Sequence, residues 1–195
     1  MFNSHFHLDS FINALAIFLK QFPDYRGISN IELIKRKSIV SYLGLSLNKF
    51  DKFKLNSKNK YPIILWNHRW EYDKNPDLFF NSLKKIKDDS YKFNLVVLGE
   101  EFSTEMPIFK KVKEIFKDEL LHIGYCKSFK EYAEWLWKSD LLPVTSNQDF
   151  FGISIMEAAY CKTIPILPNR LTYPELFKNN NTIFYNSEDE LIIKL

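Results

Sequence analysis

From residue 61 onward the chain alternates between two textures. Short apolar runs at Ile63–Trp66, Leu95–Leu98, Leu120–Ile123, Leu141–Thr145, Ile164–Leu167 and Ile183–Tyr185 predict strands. Between them the spacing turns helical over Pro76–Ile86, Pro107–Lys117, Lys130–Lys138, Gly152–Cys161 and Tyr173–Phe177. Strands that are apolar almost throughout, alternating with helices, predict a parallel sheet covered on both faces. The expected class is α/β, a Rossmann-like doubly wound domain. Ligands of such sheets bind beyond the carboxyl ends of the strands. The loops to watch are therefore Asn67–Asn75, Gly99–Thr104, Gly124–Phe129, Ser146–Gly152 and Pro168–Tyr173.

Upstream of this domain the pattern differs. Residues Leu8–Phe22 predict one amphipathic helix, with Phe11, Leu15, Phe18, Leu19 and Phe22 as its apolar stripe. Asp9 or Ser10 would cap it and Pro23 would end it. Ser38–Leu43 reads as a short extended segment, and the polar, lysine-rich stretch 49–60 (Lys49, Lys52, Lys54, Lys58, Lys60) reads as a linker. The chain opens on a helix and stops within Leu191-Ile192-Ile193 without a C-cap signal, so both ends are expected to be cuts through a larger protein.

Composition narrows the classes. With 46% hydrophobic and 16% aromatic residues the chain can bury a sizeable core and is not a disordered segment. A net charge of +3 neither demands nor excludes an RNA partner. Cys126 and Cys161 stand outside any C-x-x-C pattern and read as buried thiols of a reducing compartment, with the cytoplasm as the default. No run approaches the ~20 apolar residues of a membrane span, so no membrane association is expected. His5, His7, His68 and His122 lack metal-site spacing, and no metal is expected. There is no P-loop and no G-x-G-x-x-G, which argues against a dinucleotide dehydrogenase, and no cofactor is expected.

Two segments carry candidate chemistry. In the run Asp149 to Ala159, two acids, Asp149 and Glu157, bracket seven residues, with Phe151-Gly152 between them. Ile153, Met156 and Tyr160 share a face at helical spacing, which puts Gly152 at or near a helix start. A helix start offers unpaired N–H groups and a partial positive charge to a phosphate, and Gly lets the backbone approach a ligand. The same spacing equally fits an amphipathic helix with a capping Asp and a solvated Glu. In the loop after the first strand stand Arg69 and Lys74, five apart. Arg can bind phosphate oxygens bidentately and Lys adds a point charge; surface charges in a polar loop are the other reading. The main-chain groups of the segment Pro168–Glu175, after the strand at Ile164, are candidates to line the same cleft; Arg170 and Glu175 equally fit a structural pair.

Taken together, the Arg-x4-Lys loop, the strand ending in Gly99 and the acid-x7-Glu block with Phe-Gly resemble the donor-binding domain of the retaining glycosyltransferases with the GT-B fold. The resemblance implies that Arg69 and Lys74 bind the donor diphosphate and that Glu157 binds the nucleotide ribose. It also implies that Asp149 touches the transferred sugar, and that Gly99 and the backbone of Phe151, Gly152 and Ile153 line the donor site. Asp149 stands where that family usually has Glu. The strings Trp66-Asn67-His68-Arg69-Trp70-Glu71-Tyr72-Asp73-Lys74-Asn75-Pro76, Pro168-Asn169-Arg170-Leu171-Thr172-Tyr173-Pro174-Glu175 and Phe2-Asn3-Ser4-His5-Phe6-His7-Leu8-Asp9-Ser10-Phe11 resemble the branch that mannosylates the queuosine base of tRNA. This implies GDP-mannose as donor, tRNA as partner and no metal. Residues 1–48 would then be the end of an N-terminal acceptor domain, 49–60 a linker, and 61–195 a truncated nucleotide-sugar-binding domain. The alternatives are a lipid or polysaccharide acceptor, or a non-catalytic nucleotide-sugar-binding fragment.

Overall fold

The computed structural model describes all residues except 25, 56–58, 100–106 and 179–182. In chain order its elements are α1 (His5–Leu19), α2 (Asn30–Lys37), β1 (Ile63–Asn67), α3 (Pro76–Asp88), β2 (Asn94–Leu98), α4 (Pro107–Ile115), β3 (Leu120–Gly124) and α5 (Phe129–Lys138). They continue with β4 (Leu141–Pro143), α6 (Ile153–Tyr160), β5 (Ile164–Pro168), α7 (Tyr173–Leu176), β6 (Phe184–Tyr185) and α8 (Glu188–Lys194). Short 3-10 turns form at Leu47–Phe53 and Tyr72–Lys74. The chain forms two compact units: Met1–Leu45 with Asp149–Gly152 and Arg170–Lys178, and Ser46–Gln148 with Ile153–Asn169 and Asn179–Leu195.

The larger unit is the expected α/β fold. Its sheet has the order β3-β2-β1-β4-β5-β6, and every described pairing is parallel. β1 is buried at all five positions and pairs Ile63–Asn67 with Asn94–Leu98 of β2. The chain winds outward from β1 through β2 to β3, then returns to lay β4 against the other side of β1. The β1/β4 junction is therefore the switch point, where a crevice opens beyond the strand ends.

One face of the sheet is sealed by aromatic rings. Trp66, Trp70, Phe79, Phe80, Phe109 and Phe116 belong to a single buried cluster. Trp70 stacks on Phe109 with centroids 4.2 Å apart. Helix α3 is positioned by Asn75, whose left-handed φ of 51° closes the preceding turn and whose side chain accepts from Leu78 N. Pro76 at the first helical position is preorganised for that start.

The stretch read as a linker is not wholly solvated. Phe50, in the 3-10 turn, is fully buried, packs on Phe129 at 5.0 Å, and its carbonyl accepts from Trp137 Nε1 at 2.9 Å. Within this polar, lysine-rich segment Phe50 and Phe53 both pack on Phe129 and anchor it to α5. Lys58, also counted there, lies outside the described residues.

In the smaller unit α1 starts at His5, not Leu8, because Ser4 caps it and accepts from His7 N at 3.0 Å. The expected caps Asp9 and Ser10 fall inside the helix, and the helix ends at Leu19. Its apolar stripe is not a core face: no α1 residue is buried, and Phe11, Phe18 and Phe22 are 42%, 54% and 46% exposed. Ser38–Leu43 forms only one bridge, Val40 with Phe2. The carboxylate of Glu175 accepts from His5 N at 2.8 Å, Phe6 N at 3.0 Å and Tyr42 Oη at 2.6 Å. Glu175 is thus a structural cap for α1.

Candidate functional site

β1 delivers its last residue and the following loop to the switch point. Asn67, buried, donates to Tyr132 Oη at 3.1 Å and to Ser154 O at 3.0 Å, tying the strand end to α5 and α6. His68 is buried as well. Burial first, and the Lys74 charge second, push its pKa down to about 3 against an opposing pull from Asp73, so the ring is neutral. Its Nε2, and Ser146 Oγ after β4, have no hydrogen-bond partner among the described residues. Unpaired buried polar atoms are uncommon in folded proteins.

Arg69 and Lys74 differ in how they are held. Arg69 is 60% exposed and pairs with Glu71 at 3.0 Å, so its guanidinium stands at the surface. The Lys74 side chain is only 12% exposed, lies 3.0 Å from Asp73 and donates to Gln148 O at 3.1 Å. The loop after β1 is laced to the loop after β4 by three further bonds. Asn147 N donates to Asp73 O at 2.7 Å, and Thr145 Oγ1 donates to the carbonyls of Lys74 and Asn75 at 2.8 and 3.0 Å. The loops after β1 and β4 are thus bonded to each other, with the Lys74 ammonium held between them.

Gly99 has a packing explanation. Its φ is +130°, and a Cβ there would lie 2.3 Å from His68 O and 2.9 Å from the Trp70 ring. Only glycine lets the end of β2 lie under the loop that presents Arg69. The rest of the expected loop Gly99–Thr104 lies outside the described residues.

Helix α6 begins at Ile153, so Glu157 sits about one turn along it at ~1.5 Å per residue. The buried face also differs from the expected stripe. Ile155 and Ala158 are buried, while Ile153 is 44% exposed. Both stripes have helical spacing, and the sheet selected the one with small and branched residues. Glu157 accepts from Tyr132 Oη at 2.8 Å and pairs with Lys49 at 3.2 Å. In the sequence Lys49 reads only as one lysine of the polar stretch 49–60, and nothing in the spacing singles out Tyr132.

Asp149, Phe151 and Gly152 belong to the smaller unit. Asp149 Oδ1 accepts from Phe151 N at 3.1 Å, and Oδ2 accepts from Tyr173 Oη at 3.2 Å. Gly152 has a φ of 78°, a conformation that favours glycine and turns the chain into α6. Phe151 is buried, and Phe150 stacks on His7 at 4.2 Å. His7 thus packs against the acid-bearing turn, with Asn3 Oδ1 2.8 Å from its Nδ1.

One set of potential metal ligands forms among the described residues. Side-chain ligand atoms of His122, Cys126 and Glu131 lie within 4.8 Å of one another. They come from the end of β3 and the start of α5, a convergence that spacing did not show. Two of the groups also have protein partners: Glu131 accepts from Lys127 N at 2.8 Å, and His122 Nε2 lies 3.3 Å from Gly124 O. Cys126 and Cys161 are free and buried, as expected.

A family model for glycosyl transferases group 1 matches residues 48–194. A second model, the N-terminal part of tRNA-queuosine alpha-mannosyltransferase, matches residues 1–45. The tRNA-queuosine alpha-mannosyltransferase of Drosophila melanogaster is 31% identical over 203 residues, covering 100% of this chain and 53% of that protein. The chain therefore spans about half the length of this curated relative. A glycosyltransferase from Rickettsia africae superposes with a TM-score of 0.68 at 21% identity, over 92% of this chain and 50% of that one. An alpha,alpha-trehalose-phosphate synthase (UDP-forming) from Burkholderia xenovorans gives 0.63 at 11% identity, over 80% and 42%. These likenesses show the shared fold. Among the described residues no helix is long and apolar enough to cross a membrane.

Proposed function

We propose the function from one premise: the chain belongs to the glycosyl transferases group 1 family, whose model covers residues 48–194. The reading is a retaining glycosyltransferase that transfers mannose from GDP-mannose to queuosine in tRNA, with this chain supplying the donor-binding part. The acceptor and sugar rest on the Drosophila relative and on the match of residues 1–45. The observation that supports donor binding is the bonding of the loop after β1, which carries both Arg69 and Lys74, to the loop after β4 at the switch point.

In this account Arg69 and Lys74 take the diphosphate, and their charges stabilise the negative charge that grows on it as it leaves. Glu157 accepts hydrogen bonds from the ribose hydroxyls. The backbone N–H groups at the start of α6, at Ile153, face the phosphate end of the donor, with Gly152 and Phe151 preceding them. Asp149 contacts the sugar. The acceptor oxygen forms a bond to the anomeric carbon on the face from which the phosphate oxygen departs. The C–O bond to GDP breaks, and the acceptor's proton passes to that phosphate oxygen. Charge is balanced without a metal or redox cofactor in this scheme. Cytoplasmic location follows from a tRNA acceptor.

The test is label transfer. Labelled GDP-mannose is incubated with queuosine-containing tRNA and with tRNA lacking queuosine, using this chain and a form extended to the length of its relative. Label on the queuosine tRNA alone is expected. Label on neither tRNA with either form contradicts the tRNA assignment.

A further inference from the structure

Glu157 is held by two partners of opposite character. On one side, Tyr132 is a buried phenol in α5. Its Oη donates to Glu157 Oε2 at 2.8 Å and accepts from Asn67 Nδ2 at 3.1 Å. Asn67 is itself fixed by a second donation to Ser154 O at 3.0 Å. The relay therefore runs from the end of β1 through α5 to α6, and each donor and acceptor in it has one assignment. Burial, and the Glu157 charge next, push the Tyr132 pKa far above its ordinary value, so the phenol keeps the proton it donates.

On the other side, Lys49 Nζ reaches Glu157 Oε1 at 3.2 Å. The lysine side chain is 46% exposed, against 14% for the glutamate. Its ammonium also lies 5.1 Å from the Phe50 ring and 5.0 Å from the Phe129 ring. Exposed ion pairs of this kind are weak, with a median of about 0–1 kcal/mol. One carboxylate oxygen is thus fixed by a buried network, and the other is covered by a cation that water or a ligand can replace.

We propose that Tyr132 is the positioning residue for Glu157 in donor binding, and that Lys49 is an exchangeable counter-ion that the donor's ribose hydroxyls displace. This rests on the reading of Glu157 as the ribose-binding acid. A vicinal diol offers two O–H donors and needs an acceptor held at a fixed angle. Tyr132 supplies the angle, because rotation of the carboxylate would break its bond to Oε2. Lys49 keeps Oε1 compensated until the diol arrives, then returns to solvent above the Phe50 and Phe129 rings. The anchoring of Phe50 to α5 explains why a residue in a polar segment reaches the site at all.

The test is a calorimetric titration of the chain with GDP and with 2′,3′-dideoxy-GDP. The native chain is expected to bind GDP roughly tenfold more tightly than the dideoxy form, since a charged acceptor loses its donors. In Tyr132→Phe that ratio falls to about threefold or less, while affinity for the dideoxy form is kept; a general packing defect would weaken both probes alike. In Lys49→Met the ratio persists and GDP binds about threefold more tightly, because no ion pair has to open. A native ratio near one, or no binding of either probe, overturns the ribose role of Glu157 and the inference with it. A native ratio near ten that is unchanged in Tyr132→Phe overturns the positioning role alone. Weaker GDP binding by Lys49→Met overturns the exchange, and this arm stands even where Tyr132→Phe does not fold.

Discussion

Lys74 Nζ lies 3.1 Å from the carbonyl oxygen of Gln148, so the ammonium on the loop after β1 is bonded to the backbone of the loop after β4. A side chain only 12% exposed that spans two loops of a sheet's switch point has both a structural and an electrostatic effect. Lys74→Met should separate the two. Loss of a hydrogen bond from a charged donor is expected to cost about 1.5–3 kcal/mol, read from the urea midpoint. Affinity for GDP should fall about tenfold or more, since a charge-assisted contact to phosphate is lost. A stability loss with GDP affinity intact would remove Lys74 from donor binding.

Gly99→Ala tests how the Arg69 loop is supported. The added Cβ would sit 2.3 Å from His68 O, and a backbone carbonyl cannot swing away as a side-chain tip can. The expected cost is about 2–3 kcal/mol, from overpacking and a strained left-handed φ. Chemical denaturation gives the number. Full native stability would show that the loop after β1 relaxes freely.

His68 makes stability depend on pH. Its pKa falls from an ordinary 6.5 to about 3 on folding, so between those values the unfolded chain binds the extra proton. Stability is therefore highest above pH ~6.5 and declines as pH drops toward 3, at up to about 1.4 kcal/mol per pH unit. The native chain and His68→Gln should be compared by urea midpoints from pH 7 to pH 4.5. The variant should show a shallower decline; equal slopes would mean that His68 is solvated.

Glu175 should behave as a cap. Its pKa is raised by burial, but donors from Tyr42, His5 and Phe6 outweigh that and leave it below the ordinary value. Its contribution is present above the unfolded pKa and is lost as pH falls through the folded one. Glu175→Ala removes the acceptor for two N–H groups of the first turn of α1, a loss of about 1 kcal/mol for a typical cap. Hydrogen exchange at His5 and Phe6 should accelerate in the variant; unchanged protection would argue against the cap.

These residues also mark how far the sequence can be read. The six strands were legible because β1, β2 and β5 are apolar runs buried on both faces, where any alternative would expose them. Helices α2 and α8 were not. Both are short, at eight and seven residues; α2 has no side-chain cap, and α8 is capped by Ser187 and packs against α3. The face of α6 was misread because Ile153, Met156 and Tyr160 form as good a stripe as Ile155 and Ala158. Arg69, Lys74 and Glu157 were candidates by residue type and position in the chain. Lys49, Asn67 and Tyr132 were not, since only the strand order brings these distant positions to one carboxylate. The burial of His68 was not legible either; its ring meets the Trp66 ring edge-on, with centroids 5.3 Å apart.

The central claim is that this chain holds a nucleotide-sugar at the switch point of its sheet. Calorimetric titration with GDP-mannose, native chain beside Arg69→Ala, tests it most directly. Saturable one-site binding is expected, weakened roughly tenfold or more by Arg69→Ala with the melting temperature unchanged, as loss of a charge-assisted phosphate contact requires. No binding by the native chain, or equal affinity in the variant, would contradict it.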